Sequence, residues 1–171
     1  MKTWIRWLLL ALSIGGGFEG IALNFQFLSL PEFKQPVYVA LIGISIILYG
    51  FVFVSGLLFA DDPNCSAPLL ISLCLQIPTI SSPILVYRFL SGFPFVLSVT
   101  GGKLNTMVRV GGEWQFNLFQ ELPWEGGINL CALISLILLI RYRRRNLPDP
   151  LESHKTGLKF WNFVVSGSKA K

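Results

Sequence analysis

Ionised side chains are scarce in this chain: Asp, Glu, Lys and Arg make up 13% of its 171 residues, against 53% hydrophobic. That ratio excludes a disordered polymer and departs as far from an ordinary soluble domain, in which about a quarter of residues are charged. Histidine occurs once, as His154 in a polar tail, and no Ser-His-Asp, Cys-His, H-E-x-x-H or phosphate-loop pattern is present. An enzyme needs a positioned acid, base or nucleophile, so the expectation is a non-enzymatic protein without a cofactor. Cys65, Cys74 and Cys131 show no C-x-x-C spacing, and Cys74 and Cys131 sit in apolar runs where a thiol behaves as a small hydrophobe. Neither a structural disulfide nor a metal cluster is expected. The net charge of +5 comes largely from bases near the C-terminus, a distribution that fits membrane topology better than a nucleic-acid face.

What the chain has in quantity is long apolar sequence. Val37 to Ala60 carries no charged side chain, and at about 1.5 Å per residue it spans the ~30 Å hydrocarbon core as a helix. Four spans are expected, over about 4–24, 37–60, 68–90 and 123–142. The fourth has a short apolar run, Ile128 to Ile140, which is extended by starting at Pro123 with Glu125 in the first turn and Trp124 at the interface. The fold class is therefore an all-α membrane protein, with residues 1–146 as one four-helix domain and 147–171 as a tail. Lys2 and Arg6 precede the first span, and Arg141, Arg143, Arg144 and Arg145 close the fourth. The positive-inside rule then places both termini in the cytoplasm, and the expected location is a bacterial inner membrane. The rival for the first span is a cleaved leader, because Trp7 to Leu12 follows two bases and precedes small residues from Ser13.

Between Phe93 and Phe119 the apolar period changes to two, punctuated by Gly101-Gly102 and Gly111-Gly112, which is the signal of strands and tight turns. A three-stranded external meander over 93–119 is expected. A two-residue turn at Gly101-Gly102 pairs Thr100 with Lys103 and gathers Phe95, Leu97, Val99, Leu104, Val108 and Val110 on one face. A three-residue loop, Gly111-Gly112-Glu113, would add Trp114, Phe116 and Leu118 to it, because a one-residue shift exchanges faces.

Candidate site residues fall into three groups. Glu19 lies inside Gly15-Gly16-Gly17-Phe18-Glu19-Gly20, and with Gln76 and Arg88 it forms a candidate intramembrane polar site; a Glu19–Arg88 contact is one specific expectation. Gly16 and Gly20 invite close helix approach, with Gly43, Gly50 and Gly56 as the facing small residues. Phe95, Leu97, Trp114, Phe116 and Leu118, together with Phe160 and Trp161 of the tail, form a candidate partner surface. The four arginines meet lipid headgroups and set topology. Pro78 and Pro83 should break the third span. Expected partners are membrane lipid and a protein partner or second copy, with no nucleic acid. The functional reading is an assembly, accessory or interaction subunit acting through the external sheet and the tail. The first alternative is a small channel or transporter component built on Glu19 and the broken third helix. The second is an intramembrane enzyme using carboxylates such as Glu19 or Asp61 and Asp62.

Overall fold

The computed structural model describes residues 3–31, 35–119 and 121–146. Its elements run α1 (Thr3–Leu10), a π turn (Ala11–Gly15), α2 (Gly16–Leu28), α3 (Pro36–Asp61), α4 (Ala67–Gln76), β1 (Pro78–Ser81), β2 (Leu85–Leu90), β3 (Phe95–Thr100), β4 (Lys103–Val108), β5 (Glu113–Leu118), β6 (Glu125–Asn129) and α5 (Leu130–Asn146). The all-α expectation is overturned: four helical rods carry a six-stranded antiparallel sheet. Two rods are long and apolar enough to cross a membrane, Thr3–Ser29 with 27 residues and Pro36–Asp61 with 26, each about 40 Å long.

The third and fourth expected spans fail for the same reason. Residues 68–90 are mostly apolar with a single charge, Arg88, but only the part up to Gln76 is helical. Pro78 opens β1 and Pro83 lies in the turn to β2, positions where a missing N–H and a fixed φ suit a strand start and a turn. A strand covered on both faces reads as a continuous apolar run, and such a run cannot be told from a helix by periodicity. Likewise Glu125, Gly126 and Gly127 form β6, so α5 begins at Leu130 rather than Pro123. Asn129 is its N-cap, its Oδ1 accepting from the backbone N–H of Ala132 at 3.4 Å and of Phe95 at 3.3 Å.

The sheet order is β4-β3-β6-β1-β2-β5, and its registers reveal a simple construction. Thr100 faces Lys103 across a turn in which Gly101 and Gly102 both have positive φ, as expected from sequence. Counting outward from that turn, the same mirror pairing continues through β3 and β4, across Pro94–Arg109 and Gly92–Gly111 backbone bonds of 3.2 and 2.7 Å, and on through β2 and β5 to Leu85 opposite Leu118. Residues 85–118 are thus one long hairpin bent at 91–94 and 109–112. The bend folds it over the central pair β1 and β6, with β2 flanking β1 and β3 flanking β6. The expected meander is therefore corrected. Gly111 and Gly112 close no second hairpin, and β5 pairs with β2 rather than β4.

Glycine-sized gaps seat the bend on the helices. A Cβ on Gly16 would lie 2.8 Å from Gly92 Cα and 2.9 Å from the Ser91 carbonyl carbon, so two backbones touch there. Gly17 faces Phe53, Gly20 faces the Tyr49 ring, and Gly56 faces Ser13, so Gly20 and Gly56 pack helix against helix as expected, joined by Gly17. Gly43 and Gly50 instead look onto open space. The core has two apolar clusters. Leu9, Phe59, Leu69, Leu73 and Leu139 join all four rods at one end; Tyr49, Val52 and Phe89, with Tyr87 and Trp114 against them, join α3 to the sheet.

Candidate functional site

The region with the most unusual chemistry is where the hairpin bend meets the rods. Tyr49, fully buried on α3, donates its hydroxyl proton to the Leu90 carbonyl at 2.8 Å. A Cβ on Gly112 would stand 2.9 Å from that hydroxyl oxygen, so the bend wraps closely around it. Glu19 lies against the same bend: a Cβ on Gly111, where φ is +114°, would be 2.6 Å from Glu19 Oε1. Glycine suits that position by conformation, since a φ of +114° strains any residue with a Cβ.

The expected Glu19–Arg88 contact is not the one formed. Arg88 on β2 reaches Glu125 of β6 at 3.1 Å and Glu113 of β5 at 3.6 Å, and Glu113 is also held by Arg109 at 3.2 Å. Register explains the choice: Arg88 is directly opposite Gln115 and Thr79, and its side chain shares a face with Glu113 on the neighbouring β5 and with Glu125 on β6, across β1. Glu19 makes no salt bridge among the described residues. The sequence could not have shown this, because residues 85–90 read as helix.

Gln76, the third candidate, is buried at the end of α4. Its Nε2 donates to the Ser72 carbonyl at 3.1 Å while its Oε1 accepts from Ser91 Oγ at 2.7 Å, which ties α4 to the bend. With the Ser55–Ser72 hydroxyl contact at 3.3 Å it forms a satisfied polar ladder through the core. Its role is structural pairing.

The expected partner surface divides. Trp114 and Phe116 stack on each other with an interplanar angle of 8°, and Trp114 meets Phe89 and Tyr87 edge-on, so these rings are part of the internal packing. Tyr87 donates its hydroxyl to the Leu75 carbonyl at 2.7 Å, and burial raises its pKa. Phe95 and Leu97 are partly covered and Leu118 is exposed. The apolar face that does remain open lies on β3, β4 and the ends of their neighbours: Val99, Leu104, Val108 and Val110 are 50, 69, 68 and 71% exposed. Of the four arginines, Arg143, Arg144 and Arg145 occupy the last turn of α5 and Arg141 precedes them. Phe160 and Trp161 lie outside the described residues.

A cavity of about 220 Å³ separates α2 and α3 from the edge strand β5, lined by Leu23, Asn24, Leu41, Ile42, Trp114 and Phe116 among others. It was not legible in the sequence, since it depends on β5 standing beside α3. No group of three or more His, Cys, Asp or Glu that could hold a metal occurs among the described residues. Comparison with protein families, with curated proteins and with solved structures returns no match.

Proposed function

We propose that this chain is a membrane-held assembly or accessory subunit that engages a partner protein through the open half of its sheet. In this reading the rods Thr3–Ser29 and α3 cross the bilayer, and the arginine-rich end of α5 marks the cytoplasmic side with both termini. Arg6 supports the alignment, its guanidinium donating to the Ala60 carbonyl at 2.6 Å near the end of α3. From that level α4 rises only 10 residues, about 15 Å, half the ~30 Å core. The sheet then flanks the outer half of the rods.

The observation that carries the proposal is the uneven cover of one sheet face. On β2 and β5 it is packed by Tyr49 and Val52 of α3, whereas on β3 and β4 Val99, Leu104 and Val108 are half to two-thirds exposed and no helix among the described residues covers them in the apolar clusters. Strand β4 also ends the sheet, and alternation leaves the backbone groups of Leu104, Thr106 and Val108 pointing outward. An apolar face beside an open edge at membrane depth suits strand addition from another protein, because lipid offers no hydrogen bonds to that edge. The transport alternative loses its broken third helix, since Pro78 and Pro83 belong to β1 and its turn.

The test is native electrophoresis of mildly solubilised protein, wild type against Leu104→Asp with Val108→Asp. Wild type should migrate as a complex and the double variant as a monomer with an unchanged melting transition. A monomeric wild type, or a complex indifferent to both charges, would overturn the proposal.

A further inference from the structure

We infer that the groove along α1, at the arginine-rich end of the rods, is the docking site of this chain's own tail segment, residues 158–165. The inference goes beyond the partner-docking face of the sheet and does not depend on it.

The groove is built from small side chains beside a large one. Trp7, Leu10, Ala11, Ile14 and Gly15 of the first rod and Ala60 near the end of α3 line about 750 Å³, inside the range of about 300–1,000 Å³ in which pockets hold a compact body. Trp7 is 68% exposed, and a Cβ on Gly15 would meet nothing within 4 Å. The π turn Ala11–Gly15 forms the far end, and such wide turns recur where a helix is shaped for a function. Arg6 forms part of the wall, and its guanidinium donates to the Ala60 carbonyl at 2.6 Å, which fixes α1 against α3.

The place where the described chain ends decides the occupant. Tyr142 of α5 packs with Ile5 and Leu10 against the cluster of Leu9, Phe59 and Leu139, and α5 ends one turn later at Asn146. The chain therefore leaves the rods at the groove's own end. Residues 147–157 can reach about 36 Å when extended, against roughly 20 Å across a bundle whose neighbouring rods lie about 9 Å apart. Next comes Leu158-Lys159-Phe160-Trp161-Asn162-Phe163-Val164-Val165, apolar but for Lys159 and Asn162. Lys155, Lys159, Asn162 and Ser166 recur at helical spacing, and a helix with that polar stripe gathers Phe160, Trp161 and Val164 on its opposite face. Such a helix satisfies its own backbone, so it can lie in an apolar groove without losing hydrogen bonds. Tethering favours this segment over a separate protein: a flexible link gives an effective concentration on the order of 1 mM, at which a contact with a Kd of about 0.1 mM is about 90% occupied.

The test is photocrosslinking in intact membranes from benzoylphenylalanine in place of Trp161 in the full chain, with adducts mapped by mass spectrometry on mixed isotopically light and heavy chains. The expected main product joins the probe to residues 3–15 of the same chain, light to light and heavy to heavy. Gly15→Leu and Ala11→Trp, each filling the groove, should lower its yield about tenfold. The first adds its side chain where a Cβ has no neighbour, and an unchanged melting transition verifies the fold of each. Leu8→Trp, at an exposed position outside the lining, should leave the yield as it is. Adducts to lipid alone, to a second copy or to another polypeptide, or a yield indifferent to both groove-filling variants, would overturn the inference.

Discussion

Replacing Gly16 with alanine should destabilise the protein far more than the same change at Gly43, although both glycines sit in apolar helices. The Cβ added at Gly16 arrives 2.8 Å from Gly92 Cα and 2.9 Å from the Ser91 carbonyl carbon, where ordinary contact begins at 3.4 Å. Everything it meets is backbone, so no side chain can rotate away. The rod and the bend must part, which loosens the seating of Tyr49 against the Leu90 carbonyl as well. Overpacking in a closed core costs about 1–3 kcal/mol, and a backbone-on-backbone clash belongs at the upper end, about 3 kcal/mol. At Gly43 a new Cβ has nothing within 4 Å, and exchanging glycine for alanine in a helix favours the fold by about 0.5–1 kcal/mol. Steric-trap unfolding in bicelles gives both free energies directly. A Gly16→Ala variant as stable as wild type, or equal effects at the two positions, would refute the contact between rod and bend.

Removing the guanidinium in Arg88→Met should cost about 2 kcal/mol, because Glu113 and Glu125 are mostly covered and would lose their shared partner. A double-mutant cycle should show coupling of Arg88 to Glu125 and additivity with Glu19→Gln to within about 0.5 kcal/mol. In a chain without its native cysteines, the pairs Val99→Cys with Leu104→Cys and Leu85→Cys with Leu118→Cys should both oxidise to disulfides, since each pair is directly opposed in the long hairpin; a crosslink between Val110→Cys and Trp114→Cys in place of the second would restore the meander. Asn129→Ala should lower stability by about 1–2 kcal/mol by uncapping α5 and releasing the Phe95 N–H, and Asn129→Ser should recover part of it, as read by thermal melts.

The two long rods were legible because nothing competes with an uncharged apolar run of that length, and the Gly101-Gly102 turn was legible because paired glycines between alternating segments have few other uses. The Thr100–Lys103 register followed from that turn, and so did the sharing of one face by Phe95, Leu97, Val99, Leu104 and Val108. What failed was the identity of the apolar stretches on either side. Residues 85–90 lie between β1 and β5 with no fully exposed position, so the strand alternation is weak there, and 125–129 is a short Glu-Gly-Gly-Ile-Asn segment that carries no strand pattern of its own. Once they read as helix, the strand with Trp114 and Phe116 was paired with residues 103–110 instead of β2, and Arg88 was turned toward Glu19 instead of Glu113 and Glu125. The sequence did carry a clue in Pro78, Thr79, Ser81, Ser82 and Pro83, which favour a strand start and a turn over a bent helix. Gly127 was a second clue. A Cβ there would fall 2.9 Å from both the Leu97 carbonyl oxygen and Ser98 Cβ, a crowding seen only when the partner strands are known.

The central claim, that the open half of the sheet receives a partner protein within the membrane, is tested most directly by a photoreactive amino acid at Val108. Irradiation in intact membranes should yield a covalent adduct with a second polypeptide, and the same group at Ile47, an exposed position on α3, should yield only lipid adducts. Lipid adducts alone at Val108 would contradict the account.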